Sequence, residues 1–530
     1  MSQDPQPPTP DLSGQSGWQP TPPPTPDPPP PDPGQPGGWE PPPVPPGPLP
    51  PPSPPPGPPA RPRLRTSTEI QGNILAAFNK DHQMFLFLRL PDDSAAARAW
   101  LTEIEPQIAT TDEVETFNEQ FSAARRKRGG DDPEKLAAVW VAIGLTVSGL
   151  RKLWHDPPQF ALPGGEFEAF EQQAPARAQI LGDVGKSGPE NWVFGGPDQP
   201  PIDVVLTVAA DRPSDLRGKL RKLRDLASKH GIVIAFEQEG ETLPHGRAGN
   251  EHFGFKDGIS QPGVRDYHEE DQNRPGERLG HPGTKLIAPG EFILGEPNET
   301  GQAANVPEWM KSGSFQVFRR LSQDVPGFWA QMRRAKEEQG VSLSEDQLAA
   351  KLVGRWRSGT PLAQSPDRDN RSAKNPLHDN DFGFHDDPEG LKTPRFAHVR
   401  KMYPRGTTPD RAHRIMRRGI PFGRPFDPTF GRGHGPDADR GLIFNIYCAS
   451  IEQQFEFLQQ SWANNAHFPQ GQDGADPVIG QDPIRVNLRT QEHHGGQGVD
   501  FKRFVETTGA VYAFAPSKTT LRRLVAGEAL

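Results

Sequence analysis

Ile202-Asp203-Val204-Val205-Leu206-Thr207-Val208-Ala209, the segment from Ser214 to His230, and Ile232-Val233-Ile234-Ala235-Phe236 together decide the fold class. The first run is apolar, rich in β-branched residues and of strand length. The middle segment places Leu216, Leu220, Leu223 and Leu226 on one stripe, the spacing of an amphipathic helix. The last run is again a strand. Working outward, Met84-Phe85-Leu86-Phe87-Leu88-Arg89-Leu90 reads as a strand buried on both faces, and residues 93–104, with Trp100, read as a helix. Residues 136–142 form another strand, after which Thr146 opens a short helix. Downstream, strands are expected at 285–288, 292–295, 314–321, 442–447 and 510–514, and helices at 324–338 and 450–462. Residues 357–395, rich in Ser, Asn, Asp, Pro and Gly, read as a long loop. Strands and helices interleave throughout, so the expected class is α+β, a sheet covered by helices.

Composition bounds the rest. The 530 residues suffice for two or three domains. Nearly half of the 65 prolines fall within residues 1–62, which have almost no apolar side chains to bury. That tract is expected to be solvated polyproline II or disordered coil serving as a spacer or tail. Docking to an SH3- or WW-like protein module is its second reading. A net charge of −9 gives no reason to expect a nucleic-acid partner. The single cysteine, Cys448, excludes an intramolecular disulfide and any cysteine-based metal cluster held by one chain. No run approaches the ~18 apolar residues of a membrane helix. Met1-Ser2-Gln3-Asp4-Pro5 lacks the basic and apolar regions of a signal peptide, so a cytoplasmic location is expected, with export by another route left open.

Three stretches carry candidate chemistry. In Phe253-Gly254-Phe255-Lys256-Asp257-Gly258-Ile259-Ser260-Gln261-Pro262, one carboxylate sits between glycines and apolar residues. Burial tunes the pKa of such an acid, which is the profile of a proton-handling group. Taken alone, Asp-Gly followed by Gln-Pro also reads as a turn. In Phe396-Ala397-His398-Val399-Arg400-Lys401-Met402-Tyr403-Pro404-Arg405, a histidine beside basic residues fits a metal or cofactor ligand next to an anionic group, or an ordinary structural histidine. In His413-Arg414-Ile415-Met416-Arg417-Arg418-Gly419-Ile420-Pro421-Phe422-Gly423, arginines precede a turn. There a guanidinium supplies a fixed positive charge to a reacting oxygen, or simply faces solvent.

In this order, with Gly254-Phe255-Lys256-Asp257-Gly258 as a GxxDG motif, the stretches resemble those of the dye-decolorizing peroxidases, in particular their longer bacterial and fungal-type members. Residues 70–75, 314–325 and 442–459 extend the resemblance, which covers about 66–530. It implies two ferredoxin-like α+β domains, at 66–250 and 251–530, with haem b held mainly by the second. His398 would ligate the iron. Asp257 would be the distal acid/base and Arg417, just before the Arg-Gly-Ile-Pro turn, the distal arginine. Arg400 and Arg405 would meet the propionates, and Gly258, Ile259 and Gln261 would lie along the haem edge. Glu452 would accept the hydrogen bond from His398. If 413–417 is helical, His413 shares a face with Arg417, which favours His398 as the ligand. The implied reaction uses hydrogen peroxide to oxidise dyes, phenols or other aromatic donors by one-electron steps. Trp356, Tyr403 and Tyr447 are candidate electron relays, with packing the plainer reading. Glu269, Glu270, Asp271 and Glu277 form a candidate Mn(II) site or a solvated loop. The rival readings are a haem-binding or haem-processing protein of the same fold without turnover, and an adaptor working through its proline tract.

Overall fold

Two copies of one strand order build the sheet. In the computed structural model, the described residues are 62–528 apart from short segments at 130–132, 134–135, 155–166, 245, 372–374, 407–408, 428, 430–433, 437, 482–483 and 491–492. Residues 1–61, and with them the spacer and docking readings of the proline tract, lie outside this set. The first half supplies β1 (His82–Arg89), β2 (Val139–Leu145), β3 (Val204–Ala210) and β4 (Val233–Glu241). A two-residue parallel pair follows, β5 (Gly263–Val264) with β6 (Leu286–Ile287). The second half supplies β7 (Ser314–Gln323), β8 (Met416–Arg417), β9 (Ile420–Phe422), β10 (Gly441–Cys448), the separate hairpin β11 (Ile484–Leu488) and β12 (Gln497–Phe501), and β13 (Val505–Ala515).

The large sheet runs β4-β1-β3-β2-β13-β7-β10-β8, with β9 also on β10. Its first four strands have the order 4-1-3-2, with helices Ser94–Ile104 and Pro213–Lys229 as the crossovers. The second half repeats that order as β13-β7-β10-β8/β9, with helices Val325–Gln339 and the π-type turns Ile451–Glu456 and Leu458–Ala463 in the crossover positions. Each half is therefore ferredoxin-like, as expected. The halves meet where Phe514 on β13 pairs with Leu145 on β2. At the other ends of the sheet β4 reaches β9. A Cβ on Gly240 would stand 2.5 Å from Ile420 Cγ2, so only glycine permits that approach. The sheet thus curls toward a barrel. Its interior is packed with Phe85, Phe87, Phe194, Phe318, Phe422 and Ile443, drawn from both halves. Phe318 meets Phe85 and Phe87 edge-on at 4.9 and 5.0 Å.

Several local readings needed correction. Residues 292–295 are not a strand. Phe292 and Ile293 are fully buried, but their N–H groups bond back to Pro289 O in a turn. Burial without a pleated neighbour mimicked the strand pattern. The helix Thr111–Lys127 has no clear sequence signal, because only Thr111 and Val114 are buried on it and its apolar stripe is thin. Thr110 and Glu113 nevertheless close a capping box at its start. Among the described residues no helix is long and apolar enough to cross a membrane.

Candidate active site

Asp257, His398 and Arg417 come from three separate segments and reach one cavity of about 260 Å³. Its walls come mainly from the loop at 251–260, the helix His398–Met402, strands β7 and β10, and the π-helical segment.

The Asp257 loop is folded by its own hydrogen bonds. The Asp257 N–H donates to Gly249 O at 2.8 Å, and the Glu251 N–H donates to Phe255 O at 2.9 Å. The Glu251 carboxylate accepts the N–H groups of Phe253 and Phe255, each at 2.8 Å, and Gln323 Nε2 at 2.7 Å. Burial pushes Glu251 up to about 7 despite these donors. Gly258 has φ +79°, and its N–H donates to Asp257 Oδ1 at 2.6 Å. Arg417 Nη1 donates to the same oxygen at 2.7 Å. Oδ2 has no hydrogen-bond partner among the described residues. The two side chains are 36% and 29% exposed, open to the cavity and reachable by a small molecule. Burial draws the Asp257 pKa up, but the Arg417 charge and the Gly258 N–H outweigh it, and the carboxyl sits below its ordinary value.

Arg417 is placed by β8, which pairs with β10 at Ile446 and Tyr447. Gln261 clasps its backbone in both directions, donating to Arg417 O at 2.7 Å and accepting Arg417 N–H at 3.3 Å. The segment is a strand, so the helical relation between His413 and Arg417 does not hold. The ring of His413 also lines the cavity, but it stacks on Phe457 at 3.8 Å, and its Nδ1 lies 2.6 Å from Gln453 O. It has no carboxylate behind it.

His398 Nδ1 lies 2.8 Å from Asp476 Oδ2. Asp476 Oδ1 accepts the N–H groups of Val478 and Ile479 at 2.8 and 3.1 Å, which fixes the carboxylate. Burial lowers the His398 pKa, and the Asp476 charge raises it further than that, for a net rise. With Nδ1 donating to an acceptor, Nε2 keeps the lone pair a metal needs. This corrects the choice of Glu452, whose Oε1 instead accepts Ala169 N–H at 2.6 Å on the side of the first half. Asp476 was out of reach because it lies 78 residues beyond His398, in a Gly- and Asp-rich stretch that reads as loop.

The other expected contacts separate. Arg400 is buried against Thr393 O at 2.7 Å and Asp387 at 3.3 Å, and does not line the cavity. Arg405 bonds Asn380 O at 2.8 Å and lies over the Phe382 ring, beside a second, small cavity. Arg414 lines both cavities. It donates to Ser260 O at 2.6 Å, lies 4.1 Å over the Tyr403 ring, and is pulled down to about 10 by burial. It forms no ion pair among the described residues, so it is better placed than Arg400 or Arg405 for an anion in the larger cavity. Gly258, Ile259 and Gln261 do not line that cavity. Gly258 and Gln261 hold Asp257 and Arg417, while Ile259 O accepts Asn380 Nδ2 at 2.7 Å. Of the candidate relays, Tyr403 touches the cavity, Trp356 is buried with Nε1 on Ser365 O, and the Tyr447 hydroxyl meets Asn73. Glu277 is committed to Lys285 and the Gly283 N–H. Among the described residues no three His, Cys, Asp or Glu side chains gather to hold a metal ion.

The donor set suits a flat apolar group with a metal centre and anionic edges. Phe253, Leu321, Leu442, Phe444, Phe455 and Val478 supply apolar wall. Arg319 Nε, Gln323 Oε1, Asn445 Nδ2 and Gln481 Oε1 are buried without a partner, and all four side chains line the same cavity. His398 Nε2 and the Arg414 guanidinium supply the metal and anion contacts.

Comparison with known proteins agrees in both halves. Residues 69–242 match the family described as DyP dimeric alpha+beta barrel domain, and residues 296–470 match Dyp-type peroxidase, C-terminal. The chain is 30% identical to Peroxidase 2 of Mycetinis scorodonius, with 86% of each covered. It is also 30% identical to the multifunctional dye peroxidase of an Amycolatopsis species, with 86% of this chain and 95% of that one covered. Among solved structures, a mutant of the dye-decolorizing peroxidase from Pleurotus ostreatus superposes with a TM-score of 0.74 at 28% identity, covering 86% of this chain and 99% of that one. A dye-decolorizing peroxidase in complex with 2,6-dimethoxyphenol superposes with a TM-score of 0.71, also at 28% identity, over 87% and 99%.

Proposed function

The chain belongs to the dye-decolorizing peroxidase family, a family of haem peroxidases, and from that premise we propose that it holds haem b in the large cavity and uses hydrogen peroxide to oxidise phenols and dyes by one-electron steps. The observation that carries the reading is the Asp257–Arg417 pair at 2.7 Å, opening on the cavity that His398 also enters. His398 Nε2 would hold the iron, with Asp476 keeping the imidazole electron-rich, and Arg414 would meet a propionate. When bound, the haem supplies the electron exchange with peroxide and donor.

The protein's own part is proton and charge handling. Asp257 is ionised at working pH because Arg417 and the Gly258 N–H hold its pKa down. Both of those donors occupy Oδ1, so Oδ2 is the oxygen that takes a proton from incoming peroxide and returns it to the departing oxygen. The Arg417 guanidinium offsets the negative charge that develops between the two oxygens. Gly258 holds Asp257 and Gln261 holds the Arg417 backbone in this arrangement. The phenol bound by one solved relative supports phenols as donors here. The test is to load the purified chain with haemin and supply peroxide and 2,6-dimethoxyphenol. The expected result is an intense Soret band and donor oxidation in the native chain, with no haem retained by His398→Ala. A native chain that takes up no haemin contradicts the reading.

A further inference from the structure

The rim of the cavity carries positive charge that the proton chemistry does not use. Lys256 lies beside Asp257 in sequence, lines the cavity and is exposed. Its ammonium group has no hydrogen-bond or ion-pair partner among the described residues. Arg357 stands next to it, since Lys256 N–H donates to Arg357 O at 3.2 Å. The Arg357 guanidinium folds over Gly254, where a Cβ would come within 2.9 Å of Nη2, and it lies 5.2 Å over the half-buried ring of Trp329. Its side chain is 53% exposed, and its one carboxylate, Asp346, is 3.7 Å away and more exposed still. The other charges near this rim are spoken for. Arg371 is bound to Asp379, Asp369 accepts from Ser358, Asp257 faces Arg417, and the Glu251 carboxylate is turned onto backbone N–H groups. Lys256 and Arg357 are thus the two cations left facing solvent beside the cavity, with Asp346 the one carboxylate paired to either, on a chain whose net charge is −9.

We propose that Lys256 and Arg357 form a docking site for anionic aromatic donors, those carrying a sulfonate or carboxylate, and so set donor preference; this rests on the peroxidase reading. Arg357 offers two parallel N–H donors to such a group, and Trp329 offers a flat apolar face to the attached ring. Lys256 carries the positive field to the cavity mouth. The free Lys256 ammonium at the cavity and the exposed, loosely paired Arg357 guanidinium beside it draw anions in and raise their association rate. The Phe253 ring in the cavity wall stacks on Phe328 at 4.5 Å, and Phe328 meets Trp329 edge-on at 5.3 Å. Trp329 is thus joined to the Phe253 wall of the cavity through the buried Phe328 ring.

The test uses the haem-loaded full chain and three phenols of one ring type: uncharged, sulfonated, and carrying a quaternary ammonium group. Raising salt from about 10 mM to about 200 mM shortens the screening length from ~30 Å to below ~8 Å. In the native chain this should lower kcat/KM for the sulfonated phenol and raise it for the cationic one. In the double variant Lys256→Met, Arg357→Gln, the ratio of sulfonated to uncharged kcat/KM should fall about tenfold, mostly through KM, and its salt dependence should vanish. Arg357→Lys with Lys256 intact should keep the salt dependence. A native chain active on the uncharged phenol, yet showing neither salt dependence nor a changed ratio in the variant, overturns the docking site alone. A native chain inert toward all three phenols contradicts the peroxidase reading, and the docking site falls with it.

Discussion

At the scale of single residues, the site divides into groups that short motifs mark and groups that only folding brings near. Asp257, His398 and Arg417 each stand in a recognisable stretch, and the structure brings all three to one cavity. Asp476 does not: its role depends on a hydrogen bond spanning 78 residues, and nothing in its neighbours distinguishes it from a loop aspartate. Arg414 rather than Arg400 or Arg405 lines the larger cavity, because sequence shows that an arginine is present but not whether a carbonyl, a ring or a cavity receives it. The two candidate partners of His398 can be separated directly. Asp476→Asn removes the anionic acceptor and should weaken haem retention by about 10–100-fold. Glu452→Gln should leave it within about twofold on the same scale. Haem transfer to an excess of apomyoglobin measures both rates, and equal loss in the two variants would argue against Asp476.

At the scale of elements, the loop at 249–258 is the piece whose order matters most. Glu251 holds it through two backbone N–H groups and lines the cavity without touching Asp257. Its folded pKa of about 7 lies above the 4.5 of the unstructured group. The folded chain therefore binds the extra proton between those values. The stabilising share of this group is fully present at and below pH 4.5 and is lost as pH rises toward 7. Glu251→Gln should remove roughly 3 kcal/mol of that pH dependence, since the amide does not titrate. Melting of native and variant chains at pH 5 and pH 7 checks this. An unchanged difference between the two pH values would place the titration elsewhere. The sequence showed the loop's glycines but gave Glu251 no role, because its partners are backbone groups that no residue pattern records.

At the scale of the whole molecule, the α+β class was readable from alternating strands and helices, whereas the repeated 4-1-3-2 order was not. That order depends on pairings such as Phe514 with Leu145 and β13 with β7, which join residues far apart in the chain. The late crossover reads in the sequence as an ordinary helix from 450 to 462, whereas the structure makes it π-helical over Ile451–Glu456 and Leu458–Ala463. Closure between β4 and β9 brings Ile420 onto Gly240, where an added Cβ would stand 2.5 Å from Ile420 Cγ2. Gly240→Val should therefore destabilise the chain by about 1–3 kcal/mol through overpacking against Ile420. Gly218→Val, in open space on the helix Pro213–Lys229, should cost no more than the helix-propensity change allows. Equal melting temperatures for the two variants would show that the sheet ends are not in contact.

The most direct test of the site is the rate at which peroxide reacts with the haem-loaded chain, followed by stopped-flow absorbance across pH, in the native protein and in Arg417→Leu. The Asp257 pKa is depressed, so the native rate should stay level through the mildly acidic range and fall only below the ~3.9 of an ordinary aspartate. Arg417→Leu should keep its haem, lose about 10²–10³ in rate, and move the acid limb upward as Asp257 loses its cation. A fully active Arg417→Leu with the limb unmoved would contradict the pairing of Asp257 and Arg417 as the proton- and charge-handling centre.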